Sequence, residues 1–154
     1  MSDQLTHMDD KGRASMVDVS LKSIMRRTSI ASGYFVAKKE TLDAIWQGNL
    51  PKGEALAVAR VAGIQAAKQC DTLIPLCHTL PLEFIDVSFE REDDTKLKIT
   101  ATARIHSRTG IEMEALTAVS VAALTLWDMA KAIDKELSIE HILLIEKKKE
   151  SIKS

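Results

Sequence analysis

A chain of 154 residues, 45% apolar, 28% charged and with a net charge of −1, is sized and balanced for one globular domain, 1–154. So small a charge gives no global field to draw a nucleic acid or a membrane, and six aromatics (two Trp, one Tyr, three Phe) are too few for a base-stacking sheet. Cys70 and Cys77 form neither a CxxC pair nor a disulfide framework, and "MSDQLTHMDD" carries no basic-then-apolar leader, so a cytoplasmic, reducing setting is expected.

Residues 1 to about 27 mix charges with few apolar anchors and read as an arm. "TSIASGYFVAK" (28–38) is rich in β-branched and aromatic residues and predicts a strand. "ETLDAIWQG" sets Leu42, Ile45 and Trp46 at i, i+3, i+4, a short helix stopped by Gly48. "EALAVARVAGIQAAKQC" (54–70) predicts a helix whose Ala55, Ala59, Ala62, Gly63 and Ala66 allow close backbone approach. "DTLIPLCHTLP" (71–81) is broken by Pro75 and Pro81 and cannot continue it.

The hairpin signal is the cleanest in the chain. Ile85, Val87 and Phe89 alternate with Asp86, Ser88 and Glu90, "EDDT" turns, and Leu97, Ile99, Ala101, Ala103 and Ile105 then share one face. A long helix is predicted from Gly110 to Lys135 and a last strand over 137–147. The order β-α-β-β-α-β predicts a ferredoxin-like α+β core over 28–147: a four-stranded antiparallel sheet with two main helices on one face. Residues 148–154 read as a basic tail.

The stretch "GIEMEALTA" (110–118) places Glu112 and Glu114 at the head of a segment, Ala115 to Trp127, that has no charge. At 13 residues that segment is short of the ~20 that span a bilayer. Thr109 and Glu112 fit a capping box, which suffices to explain Glu112. Glu114 lies ~200° around a regular helix from Glu112, so the two would share a side only if 110–114 were extended. Either way its carboxylate has to meet water, a cation or a ligand.

At the far end Asp128 and Lys131 are neighbours at i, i+3. Asp128 is 14 residues from Glu114, ~21 Å along a helix, too far for one small substrate in one chain. Two subunits packed antiparallel would bring one chain's Glu114 near the other's Lys131. Cys77 and His78 sit in a proline-bounded turn. With Cys70 and His106 they lack metal-ligand spacing, so no metal is assigned. His78 suits acid–base chemistry, whereas its orientation beside Cys77 makes a thiol nucleophile a poor reading. Arg26, Arg27, Lys52, Lys68 and Lys131 are each a solvated charge or part of an anion pocket, and "LPKGEA" is no Walker loop.

Four blocks in this order, "MVDVS", "KGEALAVARVAGIQAAK", "LIPLCH" and "TGIEMEALTAVSVAALTLWDMAKAIDK", closely resemble the molybdenum cofactor biosynthesis protein C family, the cyclic pyranopterin monophosphate synthases. The resemblance runs from about Leu5 to Lys147. It implies a ferredoxin-like subunit in a homohexamer, a trimer of dimers, with an active site at a subunit interface. The implied substrate is 3′,8-cyclo-7,8-dihydro-GTP, supplied by a radical S-adenosylmethionine enzyme. The implied reaction rearranges it to cyclic pyranopterin monophosphate and releases pyrophosphate.

By matching position the resemblance implies Asp128, Lys131 and Lys52 as catalytic groups. It implies Leu76, Cys77, His78, Met113, Glu114, Glu112 and Arg27 as substrate contacts. No cofactor is required on this reading, with Mg²⁺ admitted only as a companion of the triphosphate. The chain departs from the family pattern twice: Thr79 follows His78 where proline is common, and the tail "EKKKESIKS" has no glycine where the family's is glycine-rich. Lys147 is then the nearest candidate for a phosphate contact from that end. The rival reading is a non-catalytic nucleotide-binding regulatory module of the same fold, which would bind without turnover.

Overall fold

A computed structural model describes residues 8–153. In chain order the elements are β1 (Met25–Val36), α1 (Lys39–Gln47), α2 (Ala55–Lys68), α3 (Cys70–Leu73), β2 (Phe84–Arg91), β3 (Lys96–Ser107), α4 (Glu112–Ala130) and β4 (Ser138–Ser151). The four strands form one antiparallel sheet in the order β2-β3-β1-β4. The helices pack on one face of it, the ferredoxin-like arrangement expected from the strand and helix order.

The hairpin alternation is realised as read. Leu97, Ile99, Ala101, Ala103 and Ile105 are at most 1% exposed, facing the helices, while Lys96, Lys98, Thr100, Thr102, Arg104 and His106 take the opposite face. The Asp93 carboxylate closes the β2–β3 turn by accepting from the backbone N–H groups of Thr95 (2.7 Å) and Lys96 (2.8 Å). The turn is a side-chain substitute for the missing ladder bonds.

Three boundaries differ from the sequence reading by about three residues or more, each for a tertiary reason. β1 starts at Met25, inside the expected arm, and β4 runs on to Ser151, through most of the expected tail, because the two pair from Met25↔Ser151 to Val36↔Ser138. The last long helix stops at Ala130 instead of Lys135. There the buried Asp134 carboxylate draws the chain into a turn, accepting from Lys38 N–H (2.9 Å), Thr41 Oγ1 (2.9 Å) and Glu136 N–H (2.8 Å).

α4 is the one described helix long and apolar enough to cross a membrane, but Ala115, Ala118, Val119, Ala122 and Leu126 are fully buried in the domain core. α2 lies against it through small residues. Ala55, Ala59, Gly63, Ala66 and Ala67 are buried, and a Cβ at Gly63 would stand 2.9 Å from the Ala118 carbonyl oxygen and 3.3 Å from the Ala122 methyl. The approach of the two helices is therefore set by a missing side chain.

At an exposed helical site Gly→Ala stabilises by about 1 kcal/mol. At Gly63 the clash is with backbone, which cannot rotate away, and overpacking of this kind costs about 1–3 kcal/mol. Gly63→Ala is therefore expected to be net destabilising by about 1–2 kcal/mol in urea unfolding at fixed protein concentration. An unchanged or raised midpoint would mean that the α2–α4 contact has slack.

Candidate active site

Two polar clusters stand at the two ends of α4. The first surrounds a cleft of about 310 Å³ at its head, near the lower end of the range for ligand sites. The proline-bounded turn contributes Leu76, Cys77 and His78, and the helix head contributes Thr109, Gly110, Glu112, Met113 and Glu114. The chain before β1 closes the third side with Val17, Val19 and Lys22.

The expected capping box is absent. Ile111 is the N-cap, Glu112 is the first helical residue, and no side chain caps the helix. The reason lies in β1: Arg27 is buried and its guanidinium donates to the carbonyls of Ser107 (3.1 Å), Arg108 (2.9 Å) and Gly110 (3.1 Å). These bonds shape the turn that Thr109 would have needed for capping. Arg27 thus reaches the cleft's frame without lining it.

Glu112 and Glu114 line the same cleft although both are helical. The expectation that they would need extended backbone overlooked where they sit. In the first turn Cβ bonds tilt toward the N-terminus, and no earlier turn stands in the way. A cleft at the end of the helix is therefore reached from both sides.

The two carboxyls are shifted in opposite directions. Burial works against ionisation of Glu112, but the Lys147 ammonium on Oε1 (2.9 Å), its own backbone N–H and the nearby Arg27 outweigh that and lower its pKa. Its Oε2 is buried without a hydrogen-bond partner among the described residues. Glu114 is 3% exposed. Burial raises its pKa, and the neighbouring charges of Glu112 and Asp71 add to that against relief from its own backbone N–H and His78. Two carboxyls whose pKa values are shifted in opposite directions thus face a single cleft.

Cys77 is half-buried, and burial raises its pKa. Cys70 lies behind it against Thr117 Oγ1 at 3.4 Å, with its thiol pushed up to about 11 by burial. Both therefore stay protonated near neutrality, consistent with the poor prospects of a thiol nucleophile. His78 Nε2 lies 2.6 Å from the Val17 carbonyl oxygen.

The second cluster is exposed and ionic. Asp128 Oδ1 accepts from Lys131 Nζ and its Oδ2 from Lys52 Nζ, both at 2.9 Å, and Lys52 also reaches the Asp128 carbonyl at 3.3 Å. The two ammonium groups, Lys52 first, hold the Asp128 carboxyl down at about 2. The helical spacing to Lys131 was legible in sequence. The bond from Lys52, 76 residues away, was not. Within one chain the two clusters remain at opposite ends of α4, ~21 Å apart by helical rise.

The arm is what the residue-by-residue reading missed. Val17, Val19 and Lys22 carry no motif chemistry; their one signal was the "MVDVS" block in which both valines lie.

Residues 16–150 match the MoaC family. The chain belongs to that family. It is 54% identical over 139 residues to the cyclic pyranopterin monophosphate synthase of Brevibacillus brevis, covering 90% of this chain and 87% of the relative. The enzyme of the same name from Chloroflexus aurantiacus is 53% identical over 146 residues, covering 94% and 90%. That from Novosphingobium aromaticivorans is 54% identical over 144 residues, covering 94% and 91%. The family match contains both clusters and the Val17–Lys22 strap.

A carboxyl whose pKa is raised on folding binds a proton that the unfolded chain has already released. Stability from that group therefore falls as pH rises from the ordinary glutamate value of 4.5 toward the folded value. Glu114→Gln removes the ionisation. The variant is expected to match wild type below pH 4.5 and to exceed its denaturant midpoint at neutral pH. A midpoint difference that does not change with pH would show that Glu114 ionises freely in the fold.

Proposed function

We propose that this MoaC-family chain is a cyclic pyranopterin monophosphate synthase of molybdenum cofactor biosynthesis. The observation that carries the reading is the pairing, within a chain about half identical to enzymes of that name, of an acid–base cleft with a cation pair clamped on one aspartate. The substrate on this reading is 3′,8-cyclo-7,8-dihydro-GTP, delivered by a radical S-adenosylmethionine enzyme in the cytoplasm. Its conversion closes a cyclic phosphate and releases pyrophosphate.

The residue types suit those demands. Rebuilding a purine-derived ring moves protons on and off nitrogen, carbon and oxygen, which calls for positioned acids and bases. Glu114, whose pKa burial raises, is the proton donor in this scheme. Glu112, whose pKa the Lys147 ammonium helps to lower, accepts from the guanine-derived N–H groups in this scheme. Asp128, held near 2, stays ionised through any physiological cycle and serves as the counter-ion that aims Lys52 and Lys131. Those two ammonium groups stabilise charge building on the phosphates as pyrophosphate leaves.

A single substrate cannot bridge ~21 Å, so the complete site is assigned to two subunits, Glu114 from one and Lys131 from its neighbour. Leu124 (58% exposed), Trp127 (37%) and Ile133 (47%) give the outer side of α4 and its following turn an apolar strip for such a contact. A homohexamer, a trimer of dimers, is the assembly proposed.

Glu114→Gln and Lys131→Ala are each expected to lose about 100-fold or more of pyrophosphate release while keeping the wild-type oligomer. Denaturing and co-refolding an equal mixture then decides the geometry. Shared sites would regain about a quarter of wild-type activity, since random pairing reunites the two intact side chains that often. No recovery would place the whole site in one subunit. Tight binding of the cyclised nucleotide by wild type without product would favour the regulatory module instead.

A further inference from the structure

The segment before β1 has no regular secondary structure from Ser15 to Val19, yet it is tied at both ends of its passage over the cleft. His78 Nε2 meets the Val17 carbonyl at 2.6 Å, and the Arg108 guanidinium donates to the Lys22 carbonyl. Between these ties the Asp18 carboxylate accepts from Ser20 N–H at 2.8 Å. Alternate residues Val17 and Val19 turn half-buried toward the cleft.

The His78 contact has only one chemical reading. A carbonyl oxygen accepts and cannot donate, so the proton of this bond belongs to Nε2. In the neutral ring Nδ1 is then a bare acceptor, and it makes no hydrogen bond among the described residues. The other titratable groups facing this cleft are Glu112, Glu114, Cys77 and Lys22. The cleft is thus lined by Glu114, whose pKa burial raises, and by a histidine whose free ring nitrogen is Nδ1.

We infer that the Val17 carbonyl is a positioning group of the active site: it selects the Nε2–H tautomer of His78 and so presents Nδ1 to the substrate as the proton acceptor. The inference rests on the synthase reading above for the identity of the substrate, but not for the tautomer. In the step assigned to it, a proton leaves a substrate nitrogen or oxygen for Nδ1. The imidazolium that forms keeps its Nε2–H bond to Val17, and Nδ1 returns the proton at a later step, so the ring ends as it began. Second-partner control of a ring nitrogen is a general way to fix histidine chemistry.

The test uses full-length protein with ¹⁵N-labelled histidine, the His78 signals being assigned by their loss in His78→Gln. Long-range ¹H–¹⁵N correlation near neutral pH is expected to report Nε2–H as the dominant tautomer; a dominant Nδ1–H form overturns the inference. The Gln side chain retains an N–H donor at the reach of Nε2 but offers no base. His78→Gln is therefore expected to keep wild-type hydrogen-exchange protection over 17–22 while kcat falls about 100-fold or more with a smaller change in KM; unchanged kcat removes His78 from the proton relay. Loosening the strap with Val17→Gly and Val19→Gly together is expected to bring up the Nδ1–H tautomer and lower kcat. A tautomer unchanged once exchange shows the strap open would mean that Val17 does not select it. The tautomer and exchange readings need no substrate, so they stand or fall separately from the synthase assignment.

Discussion

A helix enclosed by its own domain cannot carry ionised side chains along its middle, because each would lose its hydration with nothing to replace it. α4 obeys this. Its hydroxyls are absorbed locally, Ser120 onto the Leu116 carbonyl and Thr125 onto that of Val121, and Thr117 meets the Cys70 thiol. Charge is therefore confined to its two ends, Glu112 and Glu114 at one and Asp128 at the other. The two polar clusters of the candidate site gather around those ends. The close seating of α2 on α4, made possible by Gly63, keeps the middle closed.

The ends use opposite electrostatic strategies. At the head, burial raises the pKa of Glu114 while a lysine from β4 helps to lower that of Glu112, so environment pushes two chemically identical groups apart. At the tail, Asp128 is exposed, and its low pKa comes from two ammonium partners. Such a pair contributes little to stability in water. Its value is geometric, since one carboxylate aims two cations at the same region.

Of the two departures from the family's sequence pattern, Thr79 stands outside both arrangements, and the C-terminal stretch meets the first through Lys147. Thr79 places its hydroxyl on the Asp71 carboxylate at 2.7 Å, so the turn after His78 gains a side-chain tie where proline would have supplied stiffness. The glycine-free C-terminal stretch continues as β4 along β1 as far as Ser151. Lys147, the residue left for a phosphate contact there, instead pairs with Glu112.

The fold was legible because its signals are periodic. Strict alternation in β3 and a charge-free stretch after Glu114 determine which faces are buried, and with the element order they determine a ferredoxin-like sheet. The charges at the two ends of α4 were legible for the same reason, as interruptions of an apolar pattern. What the sequence left open were events between segments far apart in the chain. Arg27 displaced the expected helix cap by binding carbonyls about 80 residues away, and Lys52 reached Asp128 across 76. The arm was drawn over the cleft by one imidazole and one guanidinium. Local pattern follows from how a single segment meets water; hydrogen-bond partners and protonation states depend on which segments desolvate one another, and only the tertiary structure decides that.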